Sequence, residues 1–271
     1  MVLRKAAPRR RRVRSWHGSS FWGGARILAL CEKGHRMETH FKHLLALDTS
    51  GPACSLALKS GGEVFYRQEV GARIHNERLL ALLDELFKEA SLAPRALDLV
   101  LVTVGPGAFT GLRIGTAAAQ ALAFAAGAPV LCISSLEALA RSACLGLPAD
   151  APASLEVFVD ARMGEVYRAS YTLSEGVMCC TRADEIVAIE ALRQAPAPAQ
   201  PWVAAGDAVA LPDLAPVVAS AARQMPELMV DARVLLPLAQ LRSPGPAALA
   251  VPRYLEGQTR WQPAAKGVKA S

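Results

Sequence analysis

The stretch Val100–Ala126 reads VLVTVGPGAFTGLRIGTAAAQALAFAA, and it predicts a strand, a glycine-rich loop and a helix in succession. The β-branched apolar run ends at Val104, and helical spacing of apolar residues begins shortly after it. Gly105 and Gly107 permit backbone dihedral angles that other residues resist, and Thr110 is the expected N-cap of the helix. This join places free backbone N–H groups at a helix N-terminus, where a carboxylate or a phosphate is stabilised.

The glycine loop by itself does not identify a ligand. A P-loop requires Lys followed by Ser or Thr, where this chain has Arg113 and Ile114. The glycines at 105, 107 and 111 also miss the dinucleotide-binding spacing by one residue. A tight strand-to-helix turn with a capped helix therefore explains the loop as well as an anion site does.

The 271 residues include 30 Lys/Arg and 24 Asp/Glu, a net charge of +6, but the charge is unevenly distributed. Residues 1–36 contain ten Lys/Arg and one acid, Glu32, which leaves 20 basic and 23 acidic residues and a net charge of −3 for the rest. The basic character therefore belongs to one terminal segment. The rest of the chain is long enough for two lobes and a sizeable core.

Three interpretations of residues 1–36 compete. The segment could be a nucleic-acid-binding arm, because basic blocks neutralise phosphates. Its arginine-rich, acid-poor composition also suits a transit peptide. We favour a disordered or non-native extension with Met37 as the native start, because the first strand begins just after Met37 and the segment lacks periodicity.

The composition argues against a membrane span, a disulfide framework and a metal site. The longest uncharged run, Ile114–Leu136, is mostly alanine and is broken at Gly127–Pro129, which favours a buried helix followed by a buried strand. The six cysteines form no CxxC pair. His35, His40 and His43 match no metal-ligand pattern. We therefore expect a soluble, cytoplasmic protein without a metal.

The first part of the body predicts the order β-β-β-α-β-α-β-α, which is typical of an α/β lobe. Gly61 and Gly62 form the expected hairpin turn, and Ser134 with Glu137 forms a capping box. The expected elements are Leu44–Ser50, Cys54–Lys59, Glu63–Val70, Asn76–Ala90, Leu97–Val104, the helix from near Leu112, Pro129–Ile133 and Ser134–Ala143.

The predicted helix Asn76–Ala90, with Asn76 as its cap, carries a broad apolar stripe. Six large apolar residues recur at helical spacing, namely Leu79, Leu80, Leu82, Leu83, Leu86 and Phe87. Such a stripe either packs against the sheet as core or leaves part of its surface for a partner helix. The residues alone leave both alternatives open; if part of the stripe faces a partner, the candidate interface residues are Leu79, Leu82, Leu83 and Leu86.

Proline-rich Pro148–Pro152 is a candidate hinge between two lobes. We place the first lobe at 42–147 and a second, smaller lobe at 152–256, with a last helix able to pack back on the first lobe and a polar tail at 257–271. In the second lobe the sequence predicts the strands Leu155–Asp160, Glu165–Thr172 and Trp202–Ala205, a helix near Asp184–Gln194, and partly helical structure over 212–246.

Four stretches occur in order, namely Leu44–Ser50 (LLALDTS), Gly105–Arg113 (GPGAFTGLR), Asp160–Tyr167 (DARMGEVY) and Pro252–Leu255 (PRYL). Together they resemble the TsaB (YeaZ) family, the dimerisation subunit of the bacterial tRNA threonylcarbamoyladenosine machinery. The second and third stretches are highly specific as a pair. The resemblance runs from Lys42 to Glu256 and leaves residues 1–36 uncovered.

The resemblance implies an α/β, actin-like ATPase fold with two lobes, of the type found in sugar kinases and heat-shock chaperones. It implies a subunit that is not an enzyme on its own. Such a subunit binds TsaD as a heterodimer through helices of the first lobe, works with TsaE, and can form a homodimer when alone. The complex transfers a threonylcarbamoyl group to N6 of the adenosine beside the anticodon in tRNAs that decode ANN codons, so contact with tRNA is indirect.

Departures from an active ATPase support this interpretation. Ser50 stands where the first phosphate hairpin normally has glycine, and His75 is alone where TsaD-type subunits have a metal-binding pair. We expect no catalytic residue, no metal and no intrinsic cofactor, with ATP or ADP only at the interface of the complex. Seven residues form either a relic phosphate loop or a loop that faces such a nucleotide, namely Asp48, Thr49, Gly105, Gly107, Thr110, Gly111 and Arg113.

The turn that contains Asp160, Arg162 and Glu165 suggests acid–base chemistry or proteolysis. Paired carboxylates need a placed nucleophile or metal, which the sequence does not provide, so we interpret these residues as a structural charged turn with an internal Arg–carboxylate pair. The chief alternative function is a small-molecule phosphotransferase or ATPase of the same fold. A further alternative is tRNA binding through the arginine-rich tail.

Overall fold

The structure is a computed structural model, and it describes residues 29–30, 41–71, 73–148, 153–174 and 177–255. Apart from Ala29 and Leu30, the predictions for residues 1–36 lie outside these ranges. The predictions for the hinge beyond Pro148, for the polar tail and for His35 and His40 also lie outside them.

The described residues form strands, α-helices and short 3₁₀ helices. The strands are β1 (Ala29–Leu30), β2 (His43–Asp48), β3 (Ala53–Ser60), β4 (Glu63–Val70), β5 (Leu99–Gly105), β6 (Val130–Ser134), β7 (Ala153–Arg162), β8 (Glu165–Ser174), β9 (Val177–Ala188), β10 (Trp202–Ala205) and β11 (Arg223–Met225). The α-helices are α1 (Ile74–Glu89), α2 (Phe109–Ala126), α3 (Ser135–Cys144), α4 (Ile189–Gln194) and α5 (Ala215–Val218). The 3₁₀ helices are Pro94–Ala96, Asp207–Ala210, Ala232–Gln240 and Ala247–Leu249.

The strands form two sheets with the same internal order. The first sheet runs β4-β3-β2-β5-β6, and the second runs β9-β8-β7-β10-β11 with β1 beside β9. In the first sheet β2, β3 and β4 form an antiparallel meander, while β5 pairs parallel with β2 and β6 pairs parallel with β5. In the second sheet β7, β8 and β9 form the meander, while β10 pairs parallel with β7 and β11 pairs parallel with β10. The second half of the chain therefore repeats the topology of the first half, which the sequence analysis did not reveal.

Each sheet is covered on both faces, so the sheets and helices alternate in layers. Leu45 and Leu47 of β2 face a cluster that includes residues of α1 and α2. Leu44 and Ala46 face a second cluster, which contains α3, the 3₁₀ helix Ala232–Gln240 and the inner face of the second sheet. Helices α4 and α5 cover the outer face of that sheet. Coverage on both faces explains why β2 and β5 read as nearly continuous apolar runs.

Helix α3 lies between the two sheets, and all ten of its residues are buried. Ser134 caps it by accepting hydrogen bonds from the backbone N–H groups of Leu136 and Glu137, which confirms the Ser134 half of the predicted capping box. The Glu137 carboxylate is bound by Arg141 and Arg242, at 2.8–3.0 Å.

Two predicted N-caps are wrong because both helices begin earlier than expected. Helix α1 starts at Ile74 after Arg73, which has a left-handed backbone, so Asn76 lies within the first turn. Helix α2 starts at Phe109, so Thr110 lies inside it, and the capping residue Ala108 makes no side-chain cap.

The predicted helix near Asp184–Gln194 is wrong over its first part, where β9 continues to Ala188. Residues 185–188 pair with β8, with Glu185 opposite Arg168 and Ile186 opposite Tyr167. Because β8 offers a free edge along this length, strand pairing overrides the local preference for a helix.

The assignment of Leu79, Leu82, Leu83 and Leu86 to a partner interface requires correction. All four side chains are buried in this chain's own core, at most 4% exposed, together with Leu45, Leu47 and Val102 of the sheet. They are therefore the inner face of α1. The exposed large apolar residue on α1 is Leu80, at 76%.

This placement predicts that Leu83→Glu prevents stable folding, whereas Leu80→Glu leaves stability nearly unchanged. An unpaired carboxylate at Leu83 destabilises by roughly 3–5 kcal/mol, a large part of the stability of an ordinary domain. Urea unfolding followed by circular dichroism measures both variants. Equal stabilities would contradict the orientation of α1.

Candidate functional site

The loop after β2 packs directly against the N-terminus of α2. The Ala108 N–H donates to the Ser50 carbonyl oxygen at 2.8 Å, and the Thr49 hydroxyl donates to the Gly111 carbonyl oxygen, also at 2.8 Å. His75 Nε2 donates to the Gly51 carbonyl oxygen at 2.9 Å, which joins the first turn of α1 to the same loop. We call residues 48–51 the β2 loop.

Asp48 is buried at the carboxyl end of β2. Its Oδ1 accepts hydrogen bonds from the Ser50 and Thr103 hydroxyls, each at 2.6 Å. Burial raises the pKa of the Asp48 carboxyl above its ordinary value of 3.8, although these hydrogen bonds oppose the shift. The carboxyl therefore joins β2 to β5 rather than facing an open site.

Glycines on α2 and in the loop before it allow the two backbones to approach. A Cβ on Gly107 would lie 2.4 Å from the Ser50 carbonyl oxygen, and one on Gly111 would lie 2.1 Å from the Thr49 carbonyl oxygen. A Cβ on Gly115 would meet the Thr49 hydroxyl oxygen at 2.1 Å. The β2 loop thus packs directly against the side of α2 and its preceding loop that carries these glycines.

Gly105 is covered by residues near the C-terminal end of the described chain. The Arg253 N–H donates to the Val104 carbonyl oxygen at 2.6 Å, and a Cβ on Gly105 would lie 2.6 Å from the Arg253 carbonyl oxygen. The Gly105 N–H donates to the Ser135 hydroxyl at 3.1 Å. We call residues 252–255 the C-terminal strap.

The structure therefore brings together Asp48, Thr49, Gly107 and Gly111 of the predicted phosphate loop, with Gly105 beside them under the C-terminal strap. Thr110 is exposed on the first turn of α2. Arg113 is also exposed and contacts Phe109 and Tyr254 instead of the β2 loop. The β2 loop packs against the glycine-bearing side of α2, and the Ala108 N–H at the start of that helix already donates to the loop.

One side of α2 faces away from the core and consists largely of apolar residues. Its members follow helical spacing and are all exposed, namely Phe109, Arg113, Ala117, Ala121 and Phe124. We call these residues the outer face of α2. Phe109 is 56% exposed and Phe124 84% exposed, unusually high values for large aromatic side chains.

The charged turn between β7 and β8 is held by local contacts. Asp160 accepts the Arg162 N–H and forms an ion pair with the Arg162 guanidinium, both at 2.8 Å. The Asp160 N–H donates to the carboxylate of Asp207 at 3.0 Å, and Glu165 is buried at the start of β8. The carboxylates of this turn thus stabilise the hairpin.

Within the described residues, no group of three or more His, Cys, Asp or Glu side chains is arranged to hold a metal ion. No helix of that part of the chain has the length and hydropathy that a membrane crossing requires.

A family model described as TsaD, tRNA N6-adenosine threonylcarbamoyltransferase, matches residues 63–226. The chain is 30% identical to the tRNA threonylcarbamoyladenosine biosynthesis protein TsaB of Escherichia coli, over 81% of this chain and 96% of that protein. The chain belongs to the TsaB (YeaZ) family.

Two further TsaB relatives agree with this assignment. The structure of YeaZ from Pseudomonas aeruginosa matches with a TM-score of 0.68 and 34% identity, over 79% of this chain and all of that one. With the strand order above, it confirms the two-lobed, actin-like ATPase fold. TsaB of Haemophilus influenzae is 43% identical over 124 residues, a match that spans 46% of this chain and 51% of that protein.

The sequence analysis missed the exposure of Phe109 and Phe124, and it missed the strap contacts of Arg253 and Tyr254. One signal was available, because two aromatic residues interrupt a helix that otherwise consists mainly of small residues. The PRYL stretch was recognised, but its position over the glycine loop depends on long-range packing.

We predict that Gly111→Ala destabilises the protein, although alanine favours a helix by about 1 kcal/mol over glycine. The contact with the Thr49 carbonyl oxygen costs about 1–3 kcal/mol and should outweigh that gain, which leaves a net loss of up to about 2 kcal/mol. Gly62→Ala is the control, since a Cβ there has nothing within 4 Å. Urea unfolding of both variants measures the difference, and a stabilised Gly111→Ala protein would contradict the close approach.

The raised pKa of Asp48 predicts a pH-dependent effect of Asp48→Asn. The folded state holds the Asp48 proton more tightly than the unfolded state does. Protonation of Asp48 therefore stabilises the folded state fully below pH 3.8, and this stabilisation is lost as the pH rises through the folded-state pKa. Asparagine does not titrate. The stability of the variant relative to wild type should therefore increase as the pH rises from about 4 to 7. A constant difference across that range in urea titrations would contradict the shift.

Proposed function

We propose that this chain is a non-catalytic subunit in tRNA threonylcarbamoyladenosine biosynthesis and acts by binding TsaD. Its relatives named TsaB support the pathway, because their names describe threonylcarbamoyladenosine biosynthesis. In this role it is needed for the transfer of threonylcarbamoyl to N6 of the adenosine beside the anticodon in tRNAs that decode ANN codons. Contact with tRNA is made through the complex.

The observation that carries the proposal is the outer face of α2. The small residues Ala117 and Ala121 let a second helix approach closely, while the rings of Phe109 and Phe124 supply apolar area at the two ends of the face. Exposed apolar side chains grouped on one helix face are typical of protein–protein contacts. Leu80 of α1 adds an exposed side chain on the neighbouring helix.

TsaD is the proposed occupant of this surface in a heterodimer. A second copy of the chain would use the same apolar surface when TsaD is absent, so the isolated protein would form a homodimer. TsaE would then join the heterodimer rather than this chain alone.

The close packing of the β2 loop against α2 supports a subunit without chemistry of its own. The Ala108 N–H, which a bound phosphate would use, already donates to the Ser50 carbonyl oxygen. We propose that ATP or ADP, where the complex holds one, lies at the interface with TsaD and not in this chain's own loop.

Co-purification of the full chain with TsaD from the same genome tests the proposal. Light scattering after size-exclusion chromatography should give a heterodimer, and a threonylcarbamoylation assay with purified TsaD, TsaE and tRNA should require this chain. Phe124→Glu and Leu80→Glu should abolish both pairing and modification while the variants stay folded, because each places a charge on the apolar surface. Met163→Glu is the matched control, since Met163 is 73% exposed on the other lobe.

Two outcomes would oppose the proposal. Pairing unaffected by Phe124→Glu would move the interface elsewhere. ATP hydrolysis or phosphoryl transfer by the isolated chain, lost in Asp48→Asn, would favour the phosphotransferase or ATPase alternative.

A further inference from the structure

We propose that Arg113 binds a carboxylate of the partner protein and that the C-terminal strap holds Arg113 in position for it. This inference rests on the proposed function, since it names the chemistry of contact on the outer face of α2. It assigns a specific role to Tyr254, which lies outside the helices of the first lobe.

Arg113 is held from two sides. Its guanidinium carbon lies 3.9 Å from the centre of the Phe109 ring, in a cation–π contact. Its Nε donates to the Tyr254 hydroxyl at 2.9 Å, and the Tyr254 and Phe109 rings lie 5.3 Å apart. The guanidinium is therefore fixed in orientation although the side chain is exposed.

The strap that carries Tyr254 is itself anchored to both lobes. Arg253 binds the end of β5 through its backbone, and its guanidinium lies 3.5 Å from the Asp184 carboxylate on β9. Asp184 in turn accepts the Ser134 hydroxyl at 2.9 Å. An anchored Tyr254 can hold Arg113 without losing much conformational freedom when a partner binds.

The chemistry of Arg113 indicates a carboxylate. Arg113 is the single charged residue in the 18 residues of α2. In the described part of the chain, Nε is the one guanidinium nitrogen of Arg113 that donates a hydrogen bond. The two terminal nitrogens form a planar fork that matches a carboxylate at the edge of an apolar contact.

A nucleic-acid phosphate is a poorer fit at this position. Backbone binding to nucleic acid uses several cations along a surface, whereas α2 has one cation flanked by aromatic and small residues. The chain without residues 1–36 also has a net charge of −3.

The test measures the affinity of the full chain for TsaD at several salt concentrations. Arg113→Gln should weaken binding about tenfold to hundredfold and flatten the salt dependence, because a charge-assisted hydrogen bond is lost. Arg113→Lys should recover the salt dependence but only part of the affinity, since lysine lacks the planar fork. Arg193→Gln, on α4 of the other lobe, is the matched control and should bind as wild type does.

Tyr254→Phe separates positioning from packing, because it removes the hydroxyl and keeps the ring. It should weaken binding severalfold in wild type and have no effect in the Arg113→Gln background. Thermal unfolding of each variant establishes that the proteins are folded.

Three outcomes would overturn the inference. Arg113→Gln could bind TsaD as wild type does, which leaves the proposed function intact. It could weaken binding without changing the salt dependence, which would reduce Arg113 to a packing residue. It could weaken tRNA binding but not TsaD binding, which would make Arg113 a phosphate contact. If wild type does not bind TsaD at all, the proposed function fails, and the inference fails with it.

Discussion

The Glu137 carboxylate holds together the layer on which both sheets pack. Because α3 has a sheet on each side, its polar side chains must find partners inside the protein. Arg141 is fully buried, and its Nε donates a hydrogen bond to the Glu137 carboxylate. Its Nη2 lies 2.8 Å from the same oxygen but without hydrogen-bond geometry. Its Nη1 has no hydrogen-bond partner in the described residues. Burial lowers the pKa of Arg141, and the attraction of Glu137 opposes that shift. Arg242 binds Glu137 as well, so one carboxylate fixes α3 to the segment that follows the 3₁₀ helix Ala232–Gln240.

The sequence predicted the fold where residue patterns are local. The apolar run of β2, the hairpin glycines and the Ser134 cap each depend on neighbours within a few residues, and each prediction is confirmed. Periodicity could not orient α1, because Leu80 and Phe87 are seven residues apart and share one side of the helix. Leu80 is 76% exposed and Phe87 only 6%, since the chain turns back beside Phe87, where the Leu92 N–H binds its carbonyl oxygen.

The candidate site was predicted in its members but not in its arrangement. The motif Gly105–Arg113 places its glycines and Arg113 on one loop and helix, and nothing in the sequence states that the glycines face inward while Arg113 faces outward. That division follows from packing of α2 against the β2 loop, which joins residues about 60 positions apart. The strap contact with Gly105 spans a still longer separation, so short-range reasoning could identify PRYL as important but could not assign its contacts.

The repeated topology and the contacts between the lobes together favour a rigid platform. Proteins that close two domains around a ligand need a hinge that absorbs backbone rotation. Here one apolar cluster contains residues of both sheets, and Ser55 accepts the Ala232 N–H at 3.0 Å as a further link between the lobes. A fold locked in this way presents the outer face of α2 in one geometry, which lowers the entropy lost when a partner binds.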